Sequence, residues 1–348
     1  MIISITLDNT IGGIATSLIS YSKAIDLFND EHIIILPKDA AIIENLEILP
    51  NVKIISFSKL LLKFHIITKF IFRPKIYKKL VNSKWIFIHN SKIIKHFLKF
   101  RNKLGLINHS GKLRNTEHGA FNIFITSAGL KRFNDEYPHS KSKNVLLCHG
   151  FTEPQNNKQS NKKFSDINLK IISGGRFVEK KGFKDLISAA SLLQKDNFKC
   201  VIHLYGSGSL EESLKEQIKS LDLNNIILKG WVPSLEQPFL ESDIFCIPSY
   251  EEPFGLIMGE AMMLGLPVIS TKTDGAMELF GENPEINGGI LVDFSSPEQL
   301  KEAIQKFKDK EYQKKMSNNA MKNIKINFSI EKLSREIYKL MLIGGVKF

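Results

Sequence analysis

The sequence predicts an α/β protein built from two Rossmann-like, doubly wound domains. Its 348 residues exceed the length of one average domain and suit two domains of roughly 150–180 residues. Short β-branched runs alternate with helical patterns along the chain, as in parallel sheets that are covered on both faces. The segment 152–168, TEPQNNKQSNKKFSDIN, is polar and almost without apolar residues, so it is the expected connection between the domains.

The expected strands form two series, one for each domain. The first series comprises Ile2–Thr6, His32–Leu36, Val52–Ser56, Trp85–His89, Gly105–Asn108, Asn122–Thr126 and Asn144–Cys148. The second comprises Leu169–Ser173, Lys199–Tyr205, Asn225–Lys229, Asp243–Pro248, Pro267–Ser270 and Gly289–Val292. We therefore expect domains at residues 1–150 and 169–325, a linker at 151–168, and a cleft between the two domains.

The composition is that of a soluble globular protein, with 43% apolar and 24% charged residues. No run of about 18 uncharged apolar residues exists, so a transmembrane helix is not expected. The N-terminus, MIISITLDNTIGG, is typical of a first strand rather than of a signal peptide. Cys148, Cys200 and Cys246 have neither metal-site nor disulfide spacing, which favours reduced thiols and a cytoplasmic location.

The net charge of +12 is concentrated in one stretch. Residues 48–116 contain sixteen Lys or Arg and no Asp or Glu, whereas residues 1–47 contribute −5 and residues 117–348 contribute +1. A general abundance of lysine explains the cations, but it does not explain the absence of acids over 69 residues. The stretch should project a positive field.

The start of this basic stretch, residues 57–73 (FSKLLLKFHIITKFIFR), has the pattern of a basic amphipathic helix. At 100° per residue its cations fall within about a third of the circumference, although three apolar residues interrupt them. We expect residues 57–103 to dock on an anionic membrane surface, at the inner face of the plasma membrane. The alternative is an ordinary helix whose apolar face lies in the core and whose lysines are solvated. The four cations are Lys59, Lys63, Lys69 and Arg73.

Glycine-rich turns follow several predicted strands. Gly12-Gly13 lies after the first strand, where open α/β sheets place their ligands, but it forms neither GxGxxG nor a P-loop. A tight turn that needs positive φ is an equal explanation. Gly206, in YGSGS, has the same two explanations. Trp231, in KGWV, could face a nucleotide base or belong to the core, and the sequence favours neither.

Two cations open the second domain, in GGRFVEKKGF. Arg176 directly follows a predicted strand, and Lys181 lies five residues later at the start of a helix. The planar fork of arginine and the point charge of lysine can together neutralise a diphosphate. The alternative is a pair of surface cations in a loop. Their place at the carboxyl end of a strand favours a binding role.

Two carboxylates bracket a helix start in EEPFGLIMGEAMMLGLPVIS, residues 251–270. Glu252 and Glu260 are eight positions apart, with Pro253-Phe254-Gly255 and the first helical turn between them. Backbone N–H groups and the helix dipole attract an anion at such a start, and carboxylates accept hydrogen bonds from sugar diols. The segment therefore suits a ligand that carries both phosphates and hydroxyls.

These motifs resemble a known family. GGRFVEKKGF, LYGSGSL, ILKGWV, EEPFGLIMGEAMMLGLPVIS and DGAMELF occur in the order and at the spacing of the C-terminal domain of the group 1 (GT4-type) retaining glycosyltransferases, which have the GT-B fold. The resemblance is strong over residues 169–292 and weaker in IGGIATSL, TSAGLKRF and LLCHGF. His149 stands where the family usually has Asn, so we interpret His149-Gly150 as structural. The fold further implies that a C-terminal helix, 326–348, packs back on the N-terminal domain.

The resemblance also implies roles for the donor-binding residues. Glu260 would bind the ribose hydroxyls, Glu252 the hydroxyls of the transferred sugar, and Arg176 and Lys181 the diphosphate. Backbone N–H groups of the helix start would meet the sugar and the β-phosphate. That helix start consists of Phe254, Gly255 and Leu256; the further donor-site residues are Gly12, Gly13, Gly206 and Trp231.

A histidine at a strand end of the N-terminal domain lies near the anomeric carbon in many family members. His109 is our candidate for it, and His89 is the second choice. Because no DxD motif of the metal-binding kind lies between apolar strands, we expect neither a metal nor another cofactor.

The expected function is transfer of a sugar, with retention of configuration, from a UDP- or GDP-sugar to a glycan or lipid-linked glycan. Surface polysaccharide or lipopolysaccharide assembly is the expected setting. One alternative is a sugar-nucleotide isomerase or epimerase on the same fold. Another is a nucleic-acid-binding protein that uses the basic stretch, but its aromatic residues have the spacing of a helix core and no such motif is present, so no nucleic acid is expected.

Overall fold

The computed structural model describes residues 1–10, 12–110, 121–153 and 168–345, and it divides the chain into two compact units. Unit 1 consists of residues 1–152 and 328–348, and unit 2 of residues 153–327. The predicted boundaries at residues 150 and 326 lie next to these divisions. Most of the predicted linker, residues 154–167, lies outside the described residues.

Unit 1 is built on a parallel sheet with the strand order β3-β2-β1-β4-β5-β6-β7. Its strands are β1 (Ile2–Ile5), β2 (His32–Pro37), β3 (Val52–Phe57), β4 (Trp85–Ile88), β5 (Leu104–Asn108), β6 (Phe121–Phe124) and β7 (Lys143–Leu146). The helices between them are α1 (Gly13–Asp26), α2 (Ile43–Glu47), α3 (Lys59–Ile67), α4 (Pro74–Asn82) and α5 (Ser127–Glu136), with a 3₁₀ segment at Ser91–Lys103.

Unit 2 has its own parallel sheet, with the order β10-β9-β8-β11-β12-β13. Its strands are β8 (Leu169–Gly174), β9 (Cys200–Tyr205), β10 (Ile226–Gly230), β11 (Ile244–Ile247), β12 (Val268–Thr271) and β13 (Gly289–Val292). Its helices are α6 (Phe183–Lys195), α7 (Glu211–Ser220), α8 (Glu236–Leu240), α9 (Leu256–Met263), α10 (Asp274–Phe280), α11 (Pro297–Lys306) and α12 (Lys310–Asn327). The 3₁₀ segments are Glu179–Lys181 and Pro284–Asn287.

Both sheets are covered on two faces, as the continuous apolar runs of their strands require. Every residue of β1, β2 and β4 is buried, and so is every residue of β11 and β12. The last helix, α13 (Ile330–Ile343), belongs to unit 1 and packs against α1. The predicted fold class, an α/β protein of two doubly wound domains, is confirmed.

The predicted strands agree with the observed ones to within two residues at each end. The predicted continuous helix over residues 57–73 is wrong. Helix α3 ends at Ile67, and α4 begins at Pro74. Between them Lys69 (φ 53°) and Phe70 (φ 57°) adopt left-handed backbone conformations, which end an α-helix. Within the described ranges, no helix combines the length and the apolar character that a membrane span requires.

Candidate functional site

The candidate residues of unit 2 meet at the switch point of its sheet. Strand β8 lies between β9 and β11, so the chain leaves β8 on one side and returns on the other. Ligands of open parallel sheets bind outside the carboxyl ends of the strands at such a point. Arg176 and Lys181 follow β8, and Glu252 follows β11. The residues that the sequence assigned to phosphate and to sugar therefore share one edge of the sheet.

Lys181 and Glu252 form a direct ion pair across the switch point. The Ser249 hydroxyl donates a second hydrogen bond to the same carboxylate oxygen of Glu252, at 3.1 Å. The two charged side chains are largely buried, at 15% and 9% exposure. A charge with so little access to water needs its partner, so in this state the Glu252 carboxylate compensates the Lys181 charge.

Arg176 lies in a loop whose backbone is fixed on both sides. The N–H of Gly175 donates to the carbonyl of Tyr205 at 3.0 Å, and the N–H of Phe177 donates to the carbonyl of Ser207 at 2.8 Å. The Phe177 side chain is buried, whereas that of Arg176 is exposed and makes no ion pair with the residues that the structure describes. The guanidinium is thus held at the carboxyl end of β8 with its donors free for a ligand.

Gly206 is explained by packing against this loop. Its φ of 142° lies in a region that side chains rarely adopt, and a Cβ atom would lie 1.9 Å from the Gly175 carbonyl oxygen. Only glycine allows the turn after β9 to approach the turn after β8 so closely. The tight-turn explanation therefore holds here, and Gly206 shapes the loop that carries Arg176.

Helix α10 packs against the backbone that leads into α9. The N–H of Gly275 donates to the Glu252 carbonyl at 2.9 Å, and a Cβ atom at Gly275 would lie 2.3 Å from the Phe254 carbonyl carbon. Phe254 is buried, and Gly255 caps the helix in the left-handed conformation, at φ 76°. The Leu256 and Ile257 N–H groups precede the first hydrogen bond of α9, which the Met258 N–H donates to the Gly255 carbonyl at 2.8 Å, and they provide a positive dipole end beside Glu252.

Glu260 and Trp231 are both accessible. The Glu260 side chain is exposed, yet desolvation by the surrounding protein raises the pKa of its carboxyl to about 7. Trp231 directly follows β10 and is 64% exposed, so the alternative that it belongs to the core is wrong. Among the described residues, an ion pair joins Lys181 and Glu252, whereas no hydrogen bond or ion pair joins Arg176, Glu260 and Trp231 to one another.

Unit 1 has a switch point of its own, between β1 and β4. The Asn90 side chain joins the two strands there, since its Oδ1 accepts from the Leu7 N–H at 2.6 Å and from the Thr6 hydroxyl at 3.1 Å. Gly12 and Gly13 lie beyond β1 and are exposed. The φ of Gly12, 176°, is extended, and no atom lies within 4 Å of a Cβ placed there. The tight-turn explanation is therefore wrong for Gly12.

His109 lies in a stack of three histidine rings in unit 1. His89 Nδ1 and His109 Nε2 share a hydrogen bond of 2.9 Å, and their ring centroids are 5.1 Å apart. The ring of His149 is nearly parallel to that of His109, at 5.8 Å. Tyr21 contacts His89 and His149 edge-on. The structure thus joins both histidine candidates to a third histidine that the sequence left outside the site.

All three histidines are neutral at physiological pH. Burial, and to a smaller degree repulsion by a neighbouring histidine, lowers the pKa of His89, His109 and His149 far below the ordinary value. A neutral imidazole offers one donor and one acceptor but no positive charge. Within the described part of the chain, no three His, Cys, Asp or Glu side chains are grouped so that they could hold a metal ion.

Sequence reasoning missed Ser249 and His149. Ser249 precedes Glu252 by three residues in the same loop, but its hydrogen bond depends on a backbone path that the sequence does not specify. His149 carried one usable signal, since it stands at the end of a predicted strand, as His89 and His109 do.

Comparison with known proteins identifies the larger part of unit 2. Residues 154–323 match the family model described as "Glycosyl transferases group 1". The chain carries a group 1 glycosyl transferase domain. The family predicted from the motifs is confirmed, and the matched residues contain the Lys181–Glu252 pair, Arg176 and the start of α9.

The curated relatives are matched over part of their length. LpsE, a lipopolysaccharide core biosynthesis glycosyltransferase of Rhizobium meliloti (strain 1021), is 32% identical over 139 residues, which are 39% of this chain and 38% of LpsE. CapM, a capsular polysaccharide biosynthesis glycosyltransferase of Staphylococcus aureus, is 26% identical over 189 residues, which are 52% of this chain and 48% of CapM. The chain thus spans about half or less of the length of the curated relatives it matches.

Solved structures match nearly the whole chain. HepE of Anabaena, in complex with UDP and glucose, has a TM-score of 0.73 at 19% identity and covers 98% of both chains. A glycosyltransferase of Rickettsia africae ESF-5 has a TM-score of 0.79 at 20% identity and the same coverage. At such identities the likeness shows the fold, and the predicted GT-B class is confirmed.

Proposed function

We propose that this protein is a retaining glycosyltransferase that moves a sugar from a nucleotide-sugar donor to a hydroxyl acceptor. The observation that carries the proposal is the meeting of Lys181, Glu252 and Arg176 at the switch point of the group 1 domain. These groups combine cations for a diphosphate with a carboxylate for sugar hydroxyls. A nucleotide sugar carries both a diphosphate and sugar hydroxyls in one molecule.

The diphosphate is bound by Arg176, Lys181 and the first N–H groups of α9. Breaking the bond between the sugar and the phosphate leaves a nucleoside diphosphate with increased negative charge. Cations and N–H dipoles that are already in place stabilise this charge without reorganisation. These groups supply what a metal ion would otherwise supply, so the proposed reaction uses no metal and no other cofactor.

The remaining donor contacts are proposed from the resemblance to the family. Glu252 accepts hydrogen bonds from the hydroxyls of the transferred sugar, and Glu260 accepts them from the ribose. Trp231 is exposed at the end of β10 and offers its ring to the base. Gly12 and Gly13 are further proposed donor contacts, through their exposed backbone.

The reaction replaces one bond to the anomeric carbon by another. The bond from this carbon to the phosphate oxygen breaks, and the acceptor oxygen forms the new bond on the face that the leaving group vacates, so the configuration is retained. The acceptor hydroxyl loses its proton to the departing diphosphate. His109, neutral and buried within its stack, is proposed to lie near the anomeric carbon and to offer a hydrogen bond without adding charge.

The relatives support a narrower substrate class. HepE was solved with UDP and glucose, which favours a UDP-sugar over a GDP-sugar as the donor. LpsE and CapM are named for lipopolysaccharide core and capsular polysaccharide biosynthesis, which favours a glycan or lipid-linked glycan as the acceptor. The basic residues between 57 and 103 are proposed to hold the enzyme at the cytoplasmic face of an anionic membrane.

A panel of nucleotide sugars tests the proposal. A donor that binds only the folded protein stabilises it by RT ln(1 + [L]/Kd), or about 2.7 kcal/mol at 100 times Kd. We expect one donor class to raise the melting temperature and to be hydrolysed slowly without acceptor. Arg176→Ala should reduce this turnover by about 10²–10³, whereas Lys195→Ala, an exposed cation in the last turn of α6, should not.

Two results would contradict the proposal. If no nucleotide sugar stabilises the protein, unit 2 does not hold a donor site. If a donor is converted into an isomeric nucleotide sugar and never hydrolysed or transferred, the isomerase alternative is correct.

A further inference from the structure

The strongest unexplained surface feature lies in unit 1, on α3 and in the turn between α3 and α4. Six large apolar side chains are exposed within residues 60–72, although most of an amphipathic helix's apolar residues should face the core. Ile71 and Phe72 are 68% and 66% exposed. The others are Leu60, Leu61, Phe64 and Ile67. An exposed apolar group of this density marks an interaction surface.

The backbone between the helices is shaped to present these side chains. Lys69 and Phe70 are two consecutive non-glycine residues in the left-handed conformation, which β-carbon sterics disfavour. Such strain persists only where the surrounding structure determines it, and it concentrates at functional sites. Here it turns the chain so that Phe70 is completely buried while the next two residues, Ile71 and Phe72, project into solvent.

This turn is well anchored. The Phe70 N–H donates to the His65 carbonyl at 2.7 Å, and the Phe70 ring stacks on the buried His65 ring, with centroids 6.0 Å apart. The Arg73 N–H donates to the Phe70 carbonyl at 2.9 Å. On the outside, the Phe72 ring stacks on that of Phe64, with centroids 5.9 Å apart. The exposed aromatic pair is therefore a fixed feature of a hydrogen-bonded turn.

Cations surround this apolar tip. Exposed lysine and arginine side chains lie on α3, in the turn and on the first turn of α4, and residues 48–116 contain no acidic residue. A second copy of this chain would meet the tip with the same cations, so like charges oppose self-association. An anionic lipid bilayer offers phosphates to the cations and an acyl interior to the apolar side chains. The cations are Lys59, Lys63, Lys69, Arg73 and Lys75.

We propose that Phe64, Ile71 and Phe72 insert into the outer acyl layer of an anionic membrane while the surrounding lysines and arginine bind its headgroups. The surface is thus an insertion site and not only a charged face. It would bring unit 1 to acceptors that are anchored in lipid. The inference refines the membrane part of the proposed function, and its test needs neither donor nor acceptor.

Vesicle binding of the full chain tests the proposal. The probes are vesicles of phosphatidylcholine alone and of equal parts phosphatidylglycerol and phosphatidylcholine, in co-sedimentation at low and high salt. We expect binding to the anionic vesicles only, and at least ten-fold weaker binding for Ile71→Ser with Phe72→Ser. The double variant Lys63→Gln with Lys75→Gln should bind anionic vesicles more weakly at low salt, and its binding should depend less on salt than that of the wild type. The matched control is Ile286→Ser, an equally exposed apolar residue of unit 2.

Fluorescence separates insertion from surface adsorption. In a Trp231→Phe background, Phe72→Trp places a reporter at the tip, and Trp85 remains buried as an internal reference. Insertion predicts a blue shift and protection from iodide on anionic vesicles.

The proposal fails if the wild type does not bind anionic vesicles at low salt. It also fails if the Phe72→Trp emission does not change on binding, or if the Ile71 and Phe72 substitutions abolish a lipid-free dimer instead. Donor hydrolysis without vesicles should be the same as in the wild type for the Ile71/Phe72, Lys63/Lys75 and Ile286 variants, which keep Trp231, so loss of the membrane proposal leaves the transferase proposal standing.

Discussion

The two units place their candidate residues at equivalent positions, the switch point of a parallel sheet, but they hold them by different physical means. In unit 2, glycines allow backbone segments to touch, and the largely buried side chains of Lys181 and Glu252 form an ion pair. In unit 1, burial keeps the stacked histidines neutral, and the positive charge lies in the basic residues of the stretch 48–116. The proposed function accordingly assigns the stabilisation of charge to unit 2, whereas the histidine stack of unit 1 offers hydrogen bonds without adding charge.

The largest expected contrast is between Gly206→Ala and Gly12→Ala. At Gly206 the new methyl group would collide with the Gly175 carbonyl on a backbone that only glycine adopts easily, so we expect a loss of between about 2 and 6 kcal/mol in the free energy of unfolding. At Gly12 the backbone is extended and the space is open, so stability should change by less than about 0.5 kcal/mol.

Urea unfolding measures both variants: the emission of the buried Trp85 reports unit 1, and far-ultraviolet circular dichroism reports both units together. If Gly206→Ala and Gly12→Ala lose the same free energy of unfolding, the expected difference between the two glycines is wrong. Weaker donor binding by Gly12→Ala, at unchanged stability, would sharpen this difference.

Mild acid should destabilise unit 1 more than unit 2. The pKa of each stacked histidine is lower in the folded state than in the unfolded state, so the unfolded chain binds more protons below about pH 6.5. Stability is therefore fully present above pH 6.5 and is lost as the pH falls below it. Between pH 7.5 and 5.5 each histidine should cost about 1.4 kcal/mol.

The Trp85 unfolding transition should therefore move to a lower urea concentration at pH 5.5, and the circular dichroism transition, which averages both units, should move less. His89→Asn should reduce the loss in the free energy of unfolding of unit 1 between pH 7.5 and 5.5 by about 1.4 kcal/mol, the contribution of one histidine. A Trp85 transition that is independent of pH would show that these histidines are not held neutral.

Glu252→Gln should separate sugar recognition from phosphate binding. The substitution removes the charge that compensates Lys181, so a nucleoside diphosphate should bind at least as tightly as before. Hydrogen bonds to charged groups contribute about 1.5–3 kcal/mol, so turnover should fall by about 10- to 100-fold. Calorimetric titration of UDP and a turnover assay measure the two effects. Loss of UDP affinity together with turnover would assign Glu252 to the phosphate instead.

The smallest expected effect is a pH dependence of nucleotide affinity. The pKa of Glu260 is raised to about 7, so its carboxyl becomes fully ionised only above neutral pH and then accepts two hydroxyl hydrogen bonds. Affinity for UDP should rise a few-fold from pH 6 to pH 8 in the wild type and stay constant in Glu260→Gln. A pH dependence that persists in Glu260→Gln would belong to another group.

The sequence predicted the framework well because it depends on local patterns. Both strand series, the family motifs and the placement of Arg176, Lys181 and Glu252 at strand ends follow from hydrophobic runs and glycine turns. The break at Lys69 and Phe70 could not be predicted, since neither residue is a helix breaker and the left-handed pair is fixed by tertiary contacts. The Lys181–Glu252 pair joins residues 71 positions apart, and the exposure of Trp231 depends on what covers the end of β10.

The most direct test of the central claim compares UDP with UMP as ligands of the wild type, Arg176→Ala and Lys181→Ala, by isothermal titration. If these cations bind the diphosphate, the wild type prefers UDP over UMP by at least about ten-fold, and each substitution weakens UDP far more than UMP, so that the preference disappears. If both variants keep the wild-type preference for UDP, the diphosphate is bound elsewhere and the proposed site is wrong.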